Sequence, residues 1–276
     1  MILNSDSYFS IGTTHRICQD YSLNGSRNDG YGEWASVSDG CSGSAFTDFG
    51  SRILVHSLKY SLYQQFNSSL LLKDALKDAP AINSYCNLPE QALDATLFHL
   101  FIESDSGLCN YKKYTISAFG DGAIIKIRND NAIEFTYIEY PSGAPLYLNY
   151  YSNPKRFKAY TDEFGLQRKI YNYVFTDNIV TDFKVDTDCN GEGLTESGLC
   201  DDYKAILVTS DGISSFIGPN NTPIEITVLV RELCNFKSYK GEFIKRRMNG
   251  FKNYCEKEGW KHTDDFSMAG IHIDNA

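Results

Sequence analysis

Residues Val37–Ser44 read "VSDGCSGS". The apolar stretch before them, "EWASV" (33–37), has the character of a strand, and the small residues after them open a helix. An aspartate and a glycine at a strand end make a common turn. They are also a way to hold a metal ion. "LVTSDGISS" (Leu207–Ser215) repeats the layout of apolar strand, serine, aspartate, glycine, then small or hydroxyl residues. "HTDDFSMAG" (His262–Gly270) puts the pair Asp264-Asp265 just before a final apolar strand. Hard divalent cations prefer carboxylate, carbonyl and water oxygens. A carboxylate fixed at a strand end loses little entropy on binding, and the glycine lets the backbone turn its own carbonyl toward the ion. Carboxylates gathered at one point repel one another unless a cation neutralises them. Either Ser-Asp-Gly alone reads as a turn; the two together with the terminal acidic pair favour a metal.

The 276 residues are 42% hydrophobic and 14% aromatic, enough for one large core or at most two small ones. The formal net charge of −9 gives the chain no general pull toward nucleic acid or an anionic membrane. "IKRRMNGFK" (Ile244–Lys252) is the one basic run, and it reads as a solvated helix face. "MILNSDSYFSIG" (Met1–Gly12) lacks the basic and apolar regions of a secretory signal, and no apolar run is long enough to span a bilayer. None of the eight cysteines forms a C-x-x-C pair, which argues against a zinc knuckle or a dense disulfide framework. Reduced thiols and a cytoplasmic location are expected.

Alternation predicts a strand over residues 7–23, the turn "NGSRNDGYG" (24–32), and a second strand through Asp39. Apolar spacing predicts a helix from about Phe46 to Phe66, with Phe49, Ile53, Leu54, Leu58 and Leu62 on one face. A second helix, about Leu70 to Ala79, should stop at Pro80. Strands follow through "DATLFHLFIES" (94–104) and over 114–139, with "RNDN" (128–131) as a hairpin turn. Residues 142–200 are less regular, with strands at "KIYNYVF" (169–175) and "VTDFKV" (180–185) and a solvated loop at "DTDCNGEGLTESG" (186–198). A buried strand ends at Ser210, two helices cover about 223–259 with Gly259 as the stop, and "FSMAGIHID" closes the chain as a strand. Antiparallel runs of strands with helices in blocks make the class α+β, in one domain spanning 1–276.

In order, these segments resemble the metal-dependent protein phosphatases of type 2C, in a divergent bacterial or phage-like branch. "HRICQDYS" (His15–Ser22) resembles the opening motif, "VSDGCSGS" the V-x-D-G-x-G-G segment, and "DATL" (Asp94–Leu97) the strand usually written G-T-T. "FGDGAIIKI" (Phe119–Ile127) resembles the G-D-S-R strand, "VTSDGISS" (Val208–Ser215) the late S-D-G segment, and "TDDFSMAGI" (Thr263–Ile271) the terminal D-N segment. The resemblance implies a four-layer α-β-β-α sandwich of two antiparallel sheets, with two or more Mn²⁺ or Mg²⁺ ions at one end. Carried over by position, Asp39 bridges the ions and Gly40 adds a carbonyl. Asp211 and Asp264 hold one ion with Asp39, and Asp20 supports the other. Asp265 stands where the family usually has asparagine and joins the metal group by holding water. Asp20 also reads as a turn residue, and Asp265 as an ordinary loop acid.

Three positions depart from the family pattern. His15 stands where an arginine often binds phosphate, with Arg16 beside it; His15 is read as contacting phosphate, donating a proton, or serving only the fold. Cys41 follows Asp39-Gly40 where histidine is frequent, and Asp94 replaces glycine. The activity implied is hydrolysis of phosphoserine and phosphothreonine by metal-activated water, on a phosphoprotein such as a Ser/Thr kinase's target, by a monomeric enzyme. A regulatory binding module on the same fold and a metallohydrolase for another phosphoester are the alternatives. No cysteine lies in a C-x₅-R loop, which argues against a thiol phosphatase. A flap is expected within 142–200.

Overall fold

The computed structural model describes residues 2–30, 32–64, 75–103, 112–177 and 179–274. The chain begins with β1 (Ile2–Ser10), β2 (Tyr21–Ser26) and β3 (Gly32–Ser38), then α1 (Thr47–Gln64) and α2 (Ala75–Tyr85). Next come β4 (Leu97–Glu103), β5 (Lys113–Phe119), β6 (Gly122–Arg128) and β7 (Ile133–Glu139), then α3 (Pro154–Phe164). After it run β8 (Arg168–Thr176), β9 (Ile179–Asp188), β10 (Leu194–Leu199), β11 (Tyr203–Thr209) and the short β12 (Phe216–Ile217). Helices α4 (Ile226–Leu233) and α5 (Phe243–Glu258), the short β13 (Lys261–His262) and β14 (Phe266–Asp274) complete the fold.

Two antiparallel sheets face each other. One has seven strands, ordered β1-β14-β11-β6-β7-β8-β9; the other has five, ordered β10-β5-β4-β3-β2. Strand alternation separates three layers of core. On β3, Ala35 and Val37 point between the sheets, where they meet Phe98, Ile124, Ile206, Val208 and Ile271. Trp34, on the opposite face of β3, packs with Val55, Leu58 and Leu62 of α1. Ala123, Ile125 and Ile127 of β6 face outward onto Leu229, Ile244, Met248 and Phe251 of α4 and α5. The order helices, sheet, sheet, helices is the expected α-β-β-α sandwich.

The structure departs from the sequence expectations at several places. The strand expected over 7–23 is two strands, β1 and β2, joined by a loop over 11–20. Phe49 is not on the inner face of α1 but 52% exposed, while Leu54, Val55, Leu58 and Leu62 are buried. The expected start of the second helix at 70–74 lies outside the described residues. Pro80 does not end that helix; α2 continues to Tyr85. Ala79 packs with Leu54 of α1, and the Asn83 amide donates to the carbonyls of Leu88 and Pro89, so tertiary contacts carry the helix past the proline. Helix α3, not expected within the less regular 142–200 region, starts with an Asn153 cap and Pro154 at its first position, a helix start legible in the sequence. The expected loop at 186–198 instead contributes most of β10, which pairs with β5. Gly259 closes α5 in the left-handed conformation, as expected.

Strand register decides where the function sits. Ser10 pairs with Phe266, Thr209 with both Met268 and Ala123, Gly122 with Ile138, and Glu139 with Lys169. In the smaller sheet Tyr21 pairs with Ser38, and Leu97 with Phe119. The segments 11–20, 39–46, 94–96, 120–121, 140–167, 210–215 and 263–265 therefore all emerge at one end of the sandwich. No helix of the described residues is long and apolar enough to cross a membrane.

Leu58 is fully buried between α1 and the five-stranded sheet. Leu58→Ala should lower stability by roughly 2–5 kcal/mol, read as a lower urea midpoint with unchanged slope. A midpoint equal to wild type would show that α1 is not packed on the sheet.

Candidate functional site

The common end of the sandwich holds a cavity of about 340 Å³. His15, Asp39, Gly40, Cys41, Asp121, Tyr147, Asp211 and Asp264 are among the residues that line it. Each aspartate arrives by the same device, a carboxylate one or two residues beyond a strand end. Asp39 follows β3 and Asp20 precedes its neighbour β2; Asp211 follows β11 and Asp121 precedes its neighbour β6. Neighbouring antiparallel strands run in opposite senses, so a residue after one and a residue before the next meet at the same edge.

Asp121 lines the same cavity and is not among the site residues expected from sequence. The signal was present: Asp121-Gly122 is a third Asp-Gly at a strand end. Gly122 has φ +146°, and a Cβ there would lie 2.6 Å from the Thr209 carbonyl oxygen. Only glycine lets β6 start this close to the end of β11. Gly212 serves the second turn similarly: a Cβ would lie 1.8 Å from the Asp265 carbonyl oxygen, so Asp211-Gly212 rests directly on the backbone of the terminal acidic pair.

The turn at Asp39 is tied down from both sides. The Asp39 amide donates to Thr96 Oγ1 at 3.0 Å, and the Thr96 amide donates to the Asp39 carbonyl at 2.8 Å. The Gly40 amide donates to the Gln19 carbonyl at 3.2 Å, joining this turn to the loop that carries Asp20. Asp20 is wholly buried, and neither of its carboxylate oxygens has a well-formed hydrogen bond. Burial pushes the Asp20 carboxyl up to about 7, against the nearby Asp39, Ser210 and Ser267 groups that favour its charged form. Burial raises Asp211 to about 6, helped by the charge of Asp264. Asp39 and Asp121 are held well above the usual carboxylate range, first by burial and then by neighbouring aspartates, Asp211 in both cases.

Asp264 lines the cavity with its side chain 48% exposed, while Asp265 turns away from it and is 1% exposed. The Asp265 oxygens accept from the amides of Gly12 at 2.8 Å and Gln19 at 2.6 Å. His15 sits across the pair, with Nε2 3.3 Å from Asp264 Oδ1 and Nδ1 3.0 Å from Asp265 Oδ2. Burial pulls the His15 imidazole down, but Asp265, Asp264 and Asp20 outweigh it and hold the group above its ordinary value. Asp265 thus ties the 11–20 loop to the start of β14. The structure brings Asp20, Asp39, Gly40, Asp211, Asp264 and His15 together. It leaves Arg16 exposed and outside the cavity lining, and spends Asp265 on backbone amides and His15. No lysine or arginine among the described residues lines the cavity.

Asp94, the departure in "DATL", is 3% exposed and accepts from Arg156 Nη2 on both oxygens, at 2.9 and 2.7 Å. Asn149 Nδ2 donates to the same carboxylate at 3.1 Å, and the Asp94 carbonyl accepts from the Cys41 amide at 2.9 Å. One residue therefore clamps α3 and the turn before it to the Asp39-Gly40-Cys41 corner. That clamp sets Gly143, Pro145 and Tyr147 in the cavity wall, within the region where a flap was expected. Among the described residues, no group of three or more His, Cys, Asp or Glu side chains is closed tightly enough to hold a metal ion as it stands.

No family model matches the chain, and no curated protein matches it by sequence. Solved structures do match it. A bacterial serine phosphatase superposes with a TM-score of 0.58 at 14% identity, covering 100% of this chain and 99% of that one. Serine/threonine phosphatase Stp1 from Staphylococcus aureus gives 0.56 at 13% identity, covering 100% and 96%. The structure of the PP2C phosphatase domain and a regulatory fragment of SpoIIE from Bacillus subtilis gives 0.55 at 14% identity, covering 99% and 64%. The fold is that of the bacterial PP2C-type phosphatases.

The buried carboxyls bind a proton more readily in the folded chain than in the unfolded one. Their share of stability is full below their ordinary value of 3.8 and is lost as pH rises through the folded values, about 6 for Asp211 and about 7 for Asp20. His15, also raised, loses stability in the same direction. Buried His99, pushed down to about 3, is uncharged in the folded chain above neutral pH and adds little slope there. In EDTA, wild-type stability should therefore fall from about pH 7 to about pH 8.5, by at most about 1.4 kcal/mol per pH unit for each proton released, read as a lower melting temperature. Asp39→Asn should flatten the curve. A wild-type melting temperature that rises over this range would contradict the reading.

Proposed function

We propose that this chain is a phosphatase of the PP2C type that hydrolyses phosphoserine and phosphothreonine in proteins, using divalent manganese or magnesium. The carrying observation is the meeting of Asp39, Asp121, Asp211 and Asp264 at one cavity, with the buried Asp20 carboxyl beside Asp39 and His15 at the cavity wall. The donor set fits such ions in kind. Its atoms are hard oxygens, and Asp20 offers two buried oxygens without well-formed hydrogen bonds. Its net negative charge is large, buried and mutually repulsive, the condition a divalent cation relieves. Asp39, with the Gly40 carbonyl, Asp20, Asp211, Asp264 and Asp121, would hold the ions. Bound there, they would lower the pKa of a coordinated water and offset charge on the phosphoryl group.

The chain's own residues do the rest. The Asp94–Arg156 clamp holds Pro145 and Tyr147 over the cavity and narrows the approach of water. Among the described residues, His15 is the one side chain in the lining able to carry positive charge. Asp264 and Asp265 keep its ring at the cavity edge, within reach of a phosphoryl oxygen or of the departing seryl or threonyl oxygen, to which it gives a proton. Since no lysine or arginine among the described residues lines the cavity, phosphate binding falls to the ions and His15.

Hydrolysis of p-nitrophenyl phosphate and of a phosphothreonine peptide should appear with Mn²⁺ or Mg²⁺ and vanish in EDTA. Asp39→Asn, Asp211→Asn and Asp121→Asn should each reduce it by on the order of a hundredfold or more, over about 2.7 kcal/mol in the barrier, with the fold intact by circular dichroism. Activity within about threefold of wild type for Asp39→Asn or Asp211→Asn would sink the assignment.

His15→Ala separates two roles. As a proton donor it should slow the phosphothreonine peptide by about a hundredfold and p-nitrophenyl phosphate, whose leaving group needs no proton, by only a few-fold. An equal rise in KM for both substrates would instead make His15 a phosphate contact. Unchanged kinetics with a lower Tm would leave it a structural role only.

A further inference from the structure

A second cavity, of about 260 Å³, lies at the same end of the sandwich on the outer face of the seven-stranded sheet. Phe135, Tyr137, Tyr171 and Tyr173 supply aromatic faces from β7 and β8, and Ile224 and Ile226 close it from the start of α4. Its rings form a ladder, with Phe135–Tyr137 centroids 6.4 Å apart and Tyr137–Tyr171 centroids 6.3 Å apart. Glu139 is the one charged residue of the lining among the described residues. Its Oε2 accepts from Tyr171 Oη at 3.0 Å, and no ion pair to Glu139 is seen among the described residues. Glu225, which caps α4, lies close enough for its charge to act on Tyr173; Lys169 stands opposite Glu139 on β8 but is not in the cavity lining.

This cavity adjoins the first. Ser214, in its lining, follows Asp211 by three residues in the same single turn and donates to the Asp211 carbonyl at 2.9 Å. Tyr137 pairs across the sheet with Ala123, two residues beyond Asp121. Glu139 and Asp121 are near enough that their charges act on one another. Elsewhere the molecule places cations on tyrosine faces, Arg156 over Tyr150 at 4.8 Å and Lys126 over Tyr203 at 5.5 Å. No such contact among the described residues falls on Tyr137, Tyr171 or Tyr173. A ladder of electron-rich rings with a carboxylate at its rim that forms no ion pair among the described residues has the chemistry of a cation receptor. An apolar side chain would gain from the rings but would leave Glu139 facing it with its hydration reduced.

We propose that this cavity is a specificity subsite that takes an arginine or lysine side chain flanking the phosphorylated residue of a peptide substrate. The guanidinium or ammonium group lies over Tyr137 and Tyr171 and pairs with Glu139, while the phosphoryl group occupies the aspartate cavity. The inference rests on the phosphatase reading, and its test has an arm that does not.

A fluorescent phosphothreonine peptide series carries a single arginine, alanine or glutamate, moved one position at a time on each side of the phosphothreonine. Binding is measured by anisotropy with Mn²⁺ on peptides carrying the non-hydrolysable phosphonate analogue of phosphothreonine, so without turnover, and hydrolysis separately on the phosphopeptides. One arginine position should bind at least about fivefold tighter than alanine, with glutamate weakest, and with Mn²⁺ should lower KM while leaving kcat within about twofold. Glu139→Gln and Tyr171→Leu should each abolish that preference while retaining wild-type turnover of p-nitrophenyl phosphate and a wild-type melting temperature. Equal binding of arginine and alanine peptides at every position would overturn the subsite, as would a preference for apolar residues or an arginine preference that survives both substitutions. Absence of all hydrolysis with the arginine preference in binding intact would count against the phosphatase reading and leave the subsite standing.

Discussion

Four carboxylates crowded at one end of a sandwich, Asp20 wholly buried and the other three half-buried along the cavity, form the constraint on which this structure turns. Asp20, Asp39, Asp121 and Asp211 are each buried enough that burial itself is the largest influence on their titration. Grouping like charges in a medium of low polarity is costly, and a fold tolerates it only where the groups take protons or a cation. The backbone around them leaves little room to relax. The Asp39 turn is held by Thr96, Gln19 and the Asp94 carbonyl, and the Asp211 turn lies in backbone contact with Asp265. The cost is borne by rigid strand ends, so the site is arranged before anything binds.

Two further aspartates do a different job. Asp265 gives both oxygens to the 11–20 loop, joining the end of β1 to the start of β14 and seating His15. Asp94 gives both oxygens to Arg156 and so joins α3 to the Asp39 corner. Neither needs a cation beyond the protein's own, because amides, an imidazole and a guanidinium already satisfy them. The same residue type thus serves two purposes, and the partners supplied by the fold distinguish them. Asp94 also accounts for the departure from glycine in "DATL": the side chain that glycine lacks is the one that holds the cavity wall.

The neighbouring aromatic face follows from the same register. Beyond Glu139 the chain leaves the sheet for the 140–167 segment and returns as β8, which brings Tyr171 beside Tyr137. The acidic end of the sandwich and the tyrosine ladder therefore share an edge. At identities of 12–14% to solved phosphatases, the architecture persists while few side chains do. Here α3 with its preceding turn and the β7–β8 ladder surround a carboxylate cluster built on strand ends.

Sequence by itself determined the class and the frame. Period-two apolar runs gave most strands and a helical period gave α1, because those patterns are set by which faces must be buried. Asp39 and Asp211 were legible as a pair, since Ser-Asp-Gly after an apolar strand is a local pattern with a local physical meaning. Asp121 carries the same local mark, but its partner is Asp211, ninety positions on, and only the pairing of β6 with β11 joins them. Three outcomes belonged to tertiary structure alone: the burial of Asp265 under the 11–20 loop, the exposure of Arg16 beside His15, and the clamp from Asp94 to Arg156. Each depends on contacts between residues far apart in the chain, whose geometry is fixed when the sheets pack and not by any neighbour in sequence.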